Sequence, residues 1–458
     1  MPEKFNAIII GTGQAAKPLA LTFAEKEWKT AVIESKHFGG SCINYGCTPT
    51  KSMIASAKIA NTVRHSAEYG IRTSSVRVDI KKVIDRKNKI VRSFRDSGKN
   101  AIEKQDCIDL IFGTASFIDN YTVKVISKNS EERILSAEKI FINTGVSPNI
   151  PQIEGLNEIN YYTSESLMEV NKVPEHLIII GGGYKGLEFG QMFRRFGSKI
   201  SIIQKGNKLL KREDDDITDE IYNILTDEGI KIYLNADTQN VKDIKKGLRL
   251  EIRIEKNTMK LKGSHLLITT GVKPNTESLS LTSTDIETDD KGFINVNDEL
   301  ETNIEGVYAL GDVKGGPAFT HISYDDYRII KANLFEGKKR RIKGRLVPYT
   351  VFTDPQLGRV GISESEAIQK GFNYRILKMP VSHIARAIET GETRGFMKVI
   401  VDDDTKQILG CAVLGAEGGE IMSMIEIAMI AKLPYTELQK VIFAHPLLAE
   451  SLNSLFSQ

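Results

Sequence analysis

Cysteine is scarce in this chain, whose 458 residues contain only Cys42, Cys47, Cys107 and Cys411. So few cysteines exclude the disulfide framework of a small secreted domain. Apolar runs are also short, since none approaches the roughly 18 residues expected of a membrane-spanning helix. The chain does not open with a basic segment, an apolar stretch and a cleavage site. We therefore expect a cytoplasmic protein without a membrane partner.

A large excess of charge of one sign is also absent. The 62 Lys and Arg residues nearly balance the 59 Asp and Glu residues, which leaves a net charge of +3. This charge is too small to indicate a nucleic-acid surface. The basic run at 338–341 has no interleaved aromatic residues, so it is interpreted as a solvated loop. At roughly 150 residues per domain, the length predicts about three domains.

The chain does contain a close cysteine pair, Cys42 and Cys47, on a glycine-flanked loop. Thr48 and Pro49 predict the start of a helix, with Thr48 as its cap. The positive end of a helix dipole favours the thiolate form of a cysteine, and Lys51 adds a cation one turn into the helix. In a chain with so few cysteines, this arrangement predicts thiol–disulfide exchange.

Two glycine fingerprints lie roughly 170 residues apart, and each follows a short apolar strand and opens a helix. The first is Gly11-Thr12-Gly13-Gln14-Ala15-Ala16, and the next strand ends in Glu34. The second is Gly181-Gly182-Gly183-Tyr184-Lys185-Gly186, and the next strand ends at Gln204. In such a βαβ unit the glycines form a tight turn and let the backbone approach a pyrophosphate at the helix N-terminus. Two dinucleotide sites in one chain suit a flavin and a nicotinamide.

Other patterns predict elements away from these motifs. Helices are expected up to about residue 64 and over 80–105, with a β-meander between 109 and 142. Residues 144–148 and 270–274 repeat a Thr-Gly-Val-x-Pro pattern after a strand, which indicates an internal duplication. Ser363 and Glu366 form a capping box, and Cys411 is expected in a core strand. The acidic run 213–216 is interpreted as a solvated helix start rather than a metal site, and no metal site is expected.

These features together resemble the flavin-dependent pyridine nucleotide–disulfide oxidoreductases, which include dihydrolipoamide dehydrogenase, glutathione reductase and mercuric reductase. The resemblance covers essentially the whole chain. It is carried by the cysteine segment 39–51, the two fingerprints in order, Gly311-Asp312, and His445-Pro446 with Glu450. The sequences of the cysteine segment and of residues 315–321 are most similar to those of the mercuric-reductase-like branch.

The resemblance implies an α/β fold with two Rossmann-like dinucleotide-binding domains, for FAD and NAD(P), and a C-terminal α+β dimerisation domain. The implied boundaries are 1–147 with 275–342 for a discontinuous FAD-binding domain, 148–274 for the NAD(P)-binding domain and 343–458 for the interface domain. The residues implied to bind the cofactors are Gly11, Gly13, Ala15, Glu34, Gly40, Ser41, Lys51, Ala115, Thr144, Gly145, Gly181, Gly183, Tyr184, Glu188, Gln204, Lys205, Gly271, Asp312, Ala318, Phe319, Thr320 and His321.

The resemblance also implies catalytic roles. Cys47 is the flavin-proximal thiolate, and Cys42 is the thiol that exchanges with the substrate. His445, supported by Glu450, is the acid–base for Cys42 and comes from the partner subunit, so a homodimer is expected. Lys51 lies near flavin N5 and pairs with Glu188. Tyr184 corresponds to a tyrosine that covers the flavin, although a packing role at a helix start is nearly as plausible.

The substrate has more than one interpretation. Mercuric reductases use a second cysteine pair at the extreme C-terminus, whereas this sequence ends in Leu455-Phe456-Ser457-Gln458 and carries His445 and Glu450. The expected activity is therefore NAD(P)H-dependent reduction of a small disulfide or oxidised sulfur compound. Hg(II) reduction and dihydrolipoyl dehydrogenase activity remain alternatives, and a non-enzymatic flavin-binding scaffold is a distant third. Gln204 and Lys205 replace the acid typical of NAD-preferring members, which favours NADPH, with NADH possible.

Overall fold

The computed structural model describes residues 1–458. Its α-helices are α1 (Ala16–Glu25), α2 (Gly40–Asn44), α3 (Cys47–Arg64), α4 (Ile80–Glu103), α5 (Tyr184–Phe196), α6 (Asp215–Asp227), α7 (Thr320–Phe335), α8 (Glu364–Gln369), α9 (Ala385–Glu389), α10 (Gly418–Ile430), α11 (Tyr435–Leu438) and α12 (Ser451–Phe456). Its strands are β1 (Glu3–Ile10), β2 (Thr30–Glu34), β3 (Ile108–Asp119), β4 (Thr122–Ser127), β5 (Glu132–Ile142), β6 (Val146–Pro148), β7 (His176–Ile180), β8 (Lys199–Ile203), β9 (Lys231–Tyr233), β10 (Ala236–Ile244), β11 (Gly247–Ile254), β12 (Asn257–Gly263), β13 (His265–Ile268), β14 (Val272–Pro274), β15 (Val307–Ala309), β16 (Tyr349–Val351), β17 (Gln356–Gly361), β18 (Tyr374–Pro380), β19 (Phe396–Asp402) and β20 (Ile408–Gly415).

The chain forms two compact units, each built from three segments. The first unit comprises Met1–Met53, Lys81–Ile150 and Gly271–Arg345. The second comprises Ile54–Ile80, Pro151–Thr270 and Leu346–Gln458. None of the helices combines the length and apolar character that crossing a bilayer requires. The three domain boundaries expected from the sequence remain a prediction.

The sheet of the first unit has a parallel core in the order β3-β2-β1-β5-β15, and β4 pairs antiparallel with both β3 and β5. Successive β1 residues face opposite sides of the sheet. Ile8 packs against the β-meander, whereas Ile9 packs against α1 and α7. Both faces are covered, as expected for parallel strands. The carboxyl ends of β1 and β5 consequently meet at one edge, where a dinucleotide fold binds its ligand.

The two Thr-Gly-Val-x-Pro segments pair with each other in the first unit. Strands β6 and β14 are antiparallel, with Val146 opposite Pro274. Gly145 and Gly271 both have a left-handed backbone, with φ of +68° and +119°, which only glycine adopts readily. The backbone N–H of Asn149 donates to the Gly271 carbonyl and that of Asn275 donates to the Gly145 carbonyl, each at 3.0 Å. The repeat seen in the sequence is therefore also a structural repeat.

The second unit contains a parallel sheet in the order β13-β7-β8-β9 and an antiparallel meander of β10, β11 and β12. Helix α5 approaches β7 and β8 closely at Gly190. A β-carbon there would lie 3.2 Å from Cδ1 of Ile202, so glycine permits the close helix–sheet packing. This arrangement places the second fingerprint at the carboxyl end of β7.

The C-terminal part of the second unit is an antiparallel sheet in the order β16-β17-β20-β19-β18. Helices α10 and α12 cover it, and Cys411 is fully buried in the core, as predicted. Ser363 accepts from the Glu366 N–H, and the Glu366 carboxylate accepts from the Ser363 N–H. The predicted capping box is thus confirmed.

The interpretation of the acidic run 213–216 as solvated is wrong for its first two residues. Helix α6 does begin there, but Glu213 and Asp214 are buried. Burial raises the pKa of the Glu213 carboxyl, although Arg359 and a hydrogen bond from Tyr349 oppose the shift. Tyr349 and Arg359 lie in strands β16 and β17, more than a hundred residues later in the chain. No local sequence pattern could therefore predict these contacts.

A buried lysine completes this polar cluster. Lys398 in β19 is 2% exposed, and its Nζ lies 2.7 Å from Glu364, 3.0 Å from Asp216 and 3.3 Å from Asp214. Burial lowers the pKa of Lys398, but hydrogen bonds to Glu364 and Asp216 outweigh burial and raise it overall. The start of α6 is therefore held to the C-terminal sheet by compensated buried charges.

Candidate active site

The first fingerprint forms a backbone loop that admits only glycine at two positions. A β-carbon on Gly11, whose φ is +95°, would lie 2.5 Å from the Asn143 carbonyl oxygen. A β-carbon on Gly13 would lie 2.5 Å from Asn143 Oδ1. The chain is thereby brought close to the start of α1, where backbone N–H groups favour an anion.

Glu34 ends β2 and is buried beneath this loop. Its Oε2 accepts hydrogen bonds from the Thr12 N–H, at 3.1 Å, and from the Thr12 hydroxyl. Its Oε1 accepts from the Lys36 N–H at 2.7 Å. A carboxylate has about four lone-pair sites, so these bonds leave capacity for a further donor. The binding of a ribose hydroxyl by Glu34 remains a prediction. Because it accepts from Thr12, Glu34 also positions the loop, a role the sequence did not indicate.

Three buried polar atoms near the loop have no hydrogen-bond partner in the protein, namely Asn143 Oδ1, Thr144 Oγ1 and Asn44 Oδ1. Asn143 is fixed through its Nδ2, which donates to the Leu310 carbonyl at 2.7 Å. Buried polar groups are normally satisfied, so these atoms indicate a polar ligand. Together with the glycine cradle, they fit a dinucleotide such as FAD.

The cysteine segment packs directly on the first fingerprint. A β-carbon on Gly40 would lie 2.8 Å from Cα of Gly13, which explains why glycine is needed there. Both backbone polar groups of Gly39 form hydrogen bonds. Its N–H donates to Thr12 Oγ1 at 2.9 Å, and its carbonyl accepts from Gln14 Nε2 at 3.0 Å. The thiol pair is therefore fixed relative to the dinucleotide loop.

The local structure of this segment differs from the prediction in two respects. Residues Gly40–Asn44 form the short helix α2 rather than an open loop, and Asn44 Nδ2 fixes it by donating to the carbonyls of Phe38 and Gly40 at 2.9 Å. Helix α3 begins at Cys47, so Thr48 lies inside the helix and is not its cap. Cys47 itself is therefore the residue at the positive end of the helix.

Cys42 is half-buried and Cys47 is exposed. Cys47 Sγ lies 3.4 Å from Oγ1 of Thr320, the first residue of α7. A hydrogen bond with Cys47, followed by burial, raises the pKa of Cys42, while Thr320 and Lys51 act in the opposite direction. The hydrogen bond with Cys47 and burial both favour the thiol over the thiolate form of Cys42. Thr320 was expected at the flavin, but its contact with the sulfur was not predicted.

A buried carboxylate positions the predicted ribityl-binding residue Asp312. Asp326 in α7 is fully buried and accepts from the Gly311 N–H at 2.8 Å. Lys314, at 3.3 Å, and Arg345, at 2.7 Å, compensate its charge. Asp326 was not singled out in the sequence because an acid inside a helix usually faces solvent.

The remaining flavin-side predictions are spread over three elements. Phe319 and His321 flank Thr320 at the start of α7, and their rings stack at 5.4 Å. Ala15 and Ala115 are buried, whereas Ser41 is exposed. Their contacts with a cofactor, and those of Ala318, remain predictions.

The second fingerprint repeats the geometry of the first. A β-carbon on Gly181, whose φ is +116°, would lie 2.6 Å from the Thr269 carbonyl oxygen, whereas the space around Gly183 is open. Gln204 Oε1 accepts from the Gly182 N–H at 2.9 Å, which matches the bond between Thr12 and Glu34. The second loop is therefore also shaped for a dinucleotide.

Two other predicted residues of this fold lie on α5. Tyr184 is its first residue and is exposed. Glu188 is buried, and its Oε1 accepts from the Phe352 N–H at 2.9 Å. Lys51 belongs to the first compact unit and Glu188 to the second. Their pairing remains a prediction.

His445 and Glu450 form the predicted pair in the second unit. His445 Nδ1 lies 2.9 Å from Glu450 Oε2, and the His445 side chain is 71% exposed. The carboxylate orients the ring, which leaves Nε2 available for a proton transfer. Cys42 belongs to the other compact unit, so the role of His445 toward that thiol remains a prediction.

Comparisons with known proteins agree with this geometry. The sequence model described as pyridine nucleotide-disulphide oxidoreductase matches residues 5–326, and that of the corresponding dimerisation domain matches residues 347–456. The probable pyridine nucleotide-disulfide oxidoreductase RclA of Escherichia coli (strain K12) is 38% identical over 99% of both chains. A mercuric reductase of Lysinibacillus sphaericus is 32% identical over 98% of this chain and 82% of its own. The solved Cu(II) complex of the HOCl-induced flavoprotein disulfide reductase RclA from Escherichia coli matches with a TM-score of 0.91 and 37% identity over 99% of both chains.

Proposed function

The chain belongs to the pyridine nucleotide–disulfide oxidoreductase family, and on this premise we propose that it is an FAD-dependent NAD(P)H:disulfide oxidoreductase. Its substrate is a small disulfide or oxidised sulfur compound. The observation that carries the proposal is the cysteine pair, with Cys42 in α2 and Cys47 at the start of α3. The segment is fixed against the first glycine loop, and Cys47 contacts Thr320. The low number of cysteines in the sequence favours a reducing compartment, and we propose the cytoplasm as the location of the protein.

The cofactor sites follow from the two glycine loops. Gly11, Gly13 and Glu34, with Asn143 and Asp312, would hold FAD, and Gly181, Gly183 and Gln204 would hold the nicotinamide coenzyme. When bound, FAD supplies the two-electron relay from the nicotinamide to the cysteine pair. The protein contributes the position and the electrostatics of the thiols.

The cysteines then carry out the exchange. Two electrons and one proton convert the Cys42–Cys47 disulfide into a Cys47 thiolate and a Cys42 thiol. His445 of the partner subunit takes the Cys42 proton as Cys42 attacks the substrate disulfide, and it returns that proton to the leaving thiol. Cys47 then attacks the sulfur of Cys42 in the mixed disulfide, which releases the second thiol after protonation by solvent and restores the disulfide.

A homodimer is proposed because several large apolar side chains are exposed in the C-terminal part of the chain. Ile427 and Ile430 on α10 are 68% and 66% exposed, and Ile442 in the following segment is 97% exposed. Large exposed aliphatic residues in one region indicate a protein interface. The match of this part of the chain to a dimerisation domain supports a second copy as the partner.

NADPH is expected to be the preferred coenzyme. A carboxylate 4 Å from the 2′-phosphate would cost up to about 4 kcal/mol at an effective dielectric constant near 20, and Gln204 avoids this cost. Lys205 follows it and is 83% exposed. We expect kcat/KM to be several-fold higher with NADPH than with NADH in steady-state assays with one acceptor. A clear preference for NADH would contradict this expectation.

Reduction of a thiophilic metal ion is the second candidate function. One relative is named a mercuric reductase, and the RclA structure is a Cu(II) complex. The same thiolate and thiol can bind such an ion, because soft thiolate ligands select these metals. Dihydrolipoyl dehydrogenase activity would use the same groups in the reverse direction.

A turnover screen separates these functions. The holoenzyme is supplied with NADPH and, in separate assays, lipoamide, glutathione disulfide, other oxidised sulfur compounds, Hg(II) or Cu(II). The proposal expects the highest kcat/KM with a disulfide or oxidised sulfur compound. Turnover of a metal ion alone would support the second candidate, and absence of NAD(P)H oxidation with every acceptor would refute both.

A further inference from the structure

Lys205, the cation expected to attract a 2′-phosphate, is held by a carboxylate. Its Nζ lies 3.1 Å from Oδ1 of Asp237, the second residue of β10. The other oxygen of Asp237 accepts from Gln239 Nε2 at 2.9 Å and lies 3.7 Å from Arg253. Asp237 is thus fixed by its neighbours rather than free to turn away from Lys205.

Backbone bonds place Asp237 beside the end of β8. The Ala236 N–H donates to the Gln204 carbonyl, and the Asn235 N–H donates to the Gly206 carbonyl, each at 3.0 Å. Residues 235–237 therefore run alongside residues 204–206. This is the strand end at which a dinucleotide fold distinguishes a ribose 2′-hydroxyl from a 2′-phosphate.

The other polar groups at this strand end are already engaged. Gln204 accepts from the Gly182 N–H and donates from Nε2 to the Lys208 carbonyl at 3.2 Å. Lys208 Nζ donates to the Glu213 carbonyl and to Asp215 Oδ1, each at 2.7 Å. Lys205 differs because its ammonium group is itself exposed, with the side chain 83% exposed, and is held by the Asp237 carboxylate rather than by a backbone carbonyl. Solvent screens such a pair, and a phosphate can replace the carboxylate.

We propose that Asp237 is a specificity-determining residue that restrains the preference for NADPH by holding Lys205. This inference rests on the proposed function. A 2′-phosphate must compete with Asp237 for the ammonium group, whereas the 2′-hydroxyl of NADH requires no such exchange. Asp237 thereby keeps the site usable by both coenzymes.

The test measures binding rather than turnover. The Kd values of NADP⁺ and NAD⁺ for the oxidised holoenzyme are determined by calorimetry at low ionic strength. Asp237→Asn is expected to tighten NADP⁺ binding about fivefold, the scale of one exposed charge interaction, and to change NAD⁺ binding less than twofold. Asp243→Asn is the matched control, because it removes the same charge from the same strand about 20 Å away at 3.3 Å per residue.

A double-mutant cycle tests whether Asp237 acts through Lys205. In the Lys205→Met background, Asp237→Asn is expected to change NADP⁺ affinity less than twofold. An unchanged NADP⁺/NAD⁺ ratio in Asp237→Asn would overturn the inference, and so would an equal gain in both backgrounds. Failure of the proposed function is distinguishable, since it would appear as selective coenzyme binding without turnover of any disulfide.

Discussion

Replacing Cys47 with serine is expected to lower disulfide turnover by about a thousandfold or more. Cys47 is the first residue of α3, and the helix dipole favours a thiolate there. A serine hydroxyl does not ionise near neutral pH, so the variant lacks the nucleophile that restores the disulfide. Steady-state kinetics measure the loss. An anaerobic NADPH titration should give a long-wavelength charge-transfer absorbance in the wild type and none in Cys47→Ser.

The companion variants separate the roles of the two sulfurs. Cys42→Ser should lose turnover to a similar extent but keep the long-wavelength absorbance, because Cys47 remains. Cys107→Ser is the matched control, since it makes the same sulfur-to-oxygen change outside the cysteine pair, and its kcat/KM should stay within about twofold of the wild type. The opposite pattern of absorbance in Cys42→Ser and Cys47→Ser would contradict the assigned roles.

Replacing Lys398 with methionine is expected to destabilise the protein by about 3–5 kcal/mol, the cost of removing one partner from a buried ionic cluster. The change leaves Asp214, Asp216 and Glu364 facing one another without the buried ammonium group that lies within 3.3 Å of each. Methionine has a similar length and an apolar stem, so the loss reflects charge rather than a cavity. Urea unfolding monitored by circular dichroism measures the change.

Lys378→Met is the control for this prediction. Lys378 Nζ is 2.7 Å from Asp216, but its side chain is 42% exposed, so its removal should cost less than about 1 kcal/mol. Despite burial, hydrogen bonds from Lys378 and Lys398 hold the pKa of the Asp216 carboxyl below its ordinary value, and Lys398→Met removes one of these two lysines. The difference in the free energy of unfolding between the wild type and Lys398→Met should therefore shrink as the pH falls toward the ordinary carboxylate pKa of about 4. Equal effects of the two substitutions would contradict a special role for the buried lysine.

The sequence by itself determined the family and the fold class, and both predictions are confirmed. It also located the strands and helices around both fingerprints and helix α4 closely. These features are encoded by neighbours in the chain, such as the glycines before a helix or the alternation along a strand. The thiol pair belongs to this group, because its helix and its lysine lie within the same short segment.

The tertiary structure decided which polar groups are buried and what they contact. Glu213 was expected in solvent but is buried, where it contacts Tyr349 and Arg359. Lys398 is also buried, and it pairs with Asp214, Asp216 and Glu364. The sequence also did not predict the roles of Asn143 and Asp326 or the contact between Thr320 and the sulfur of Cys47. Lys205 was predicted to attract a 2′-phosphate, whereas its contact with Asp237, which lies 32 residues later in the chain, was not predicted. The free energy of a buried charge depends on partners that only folding brings close, and no local pattern records them.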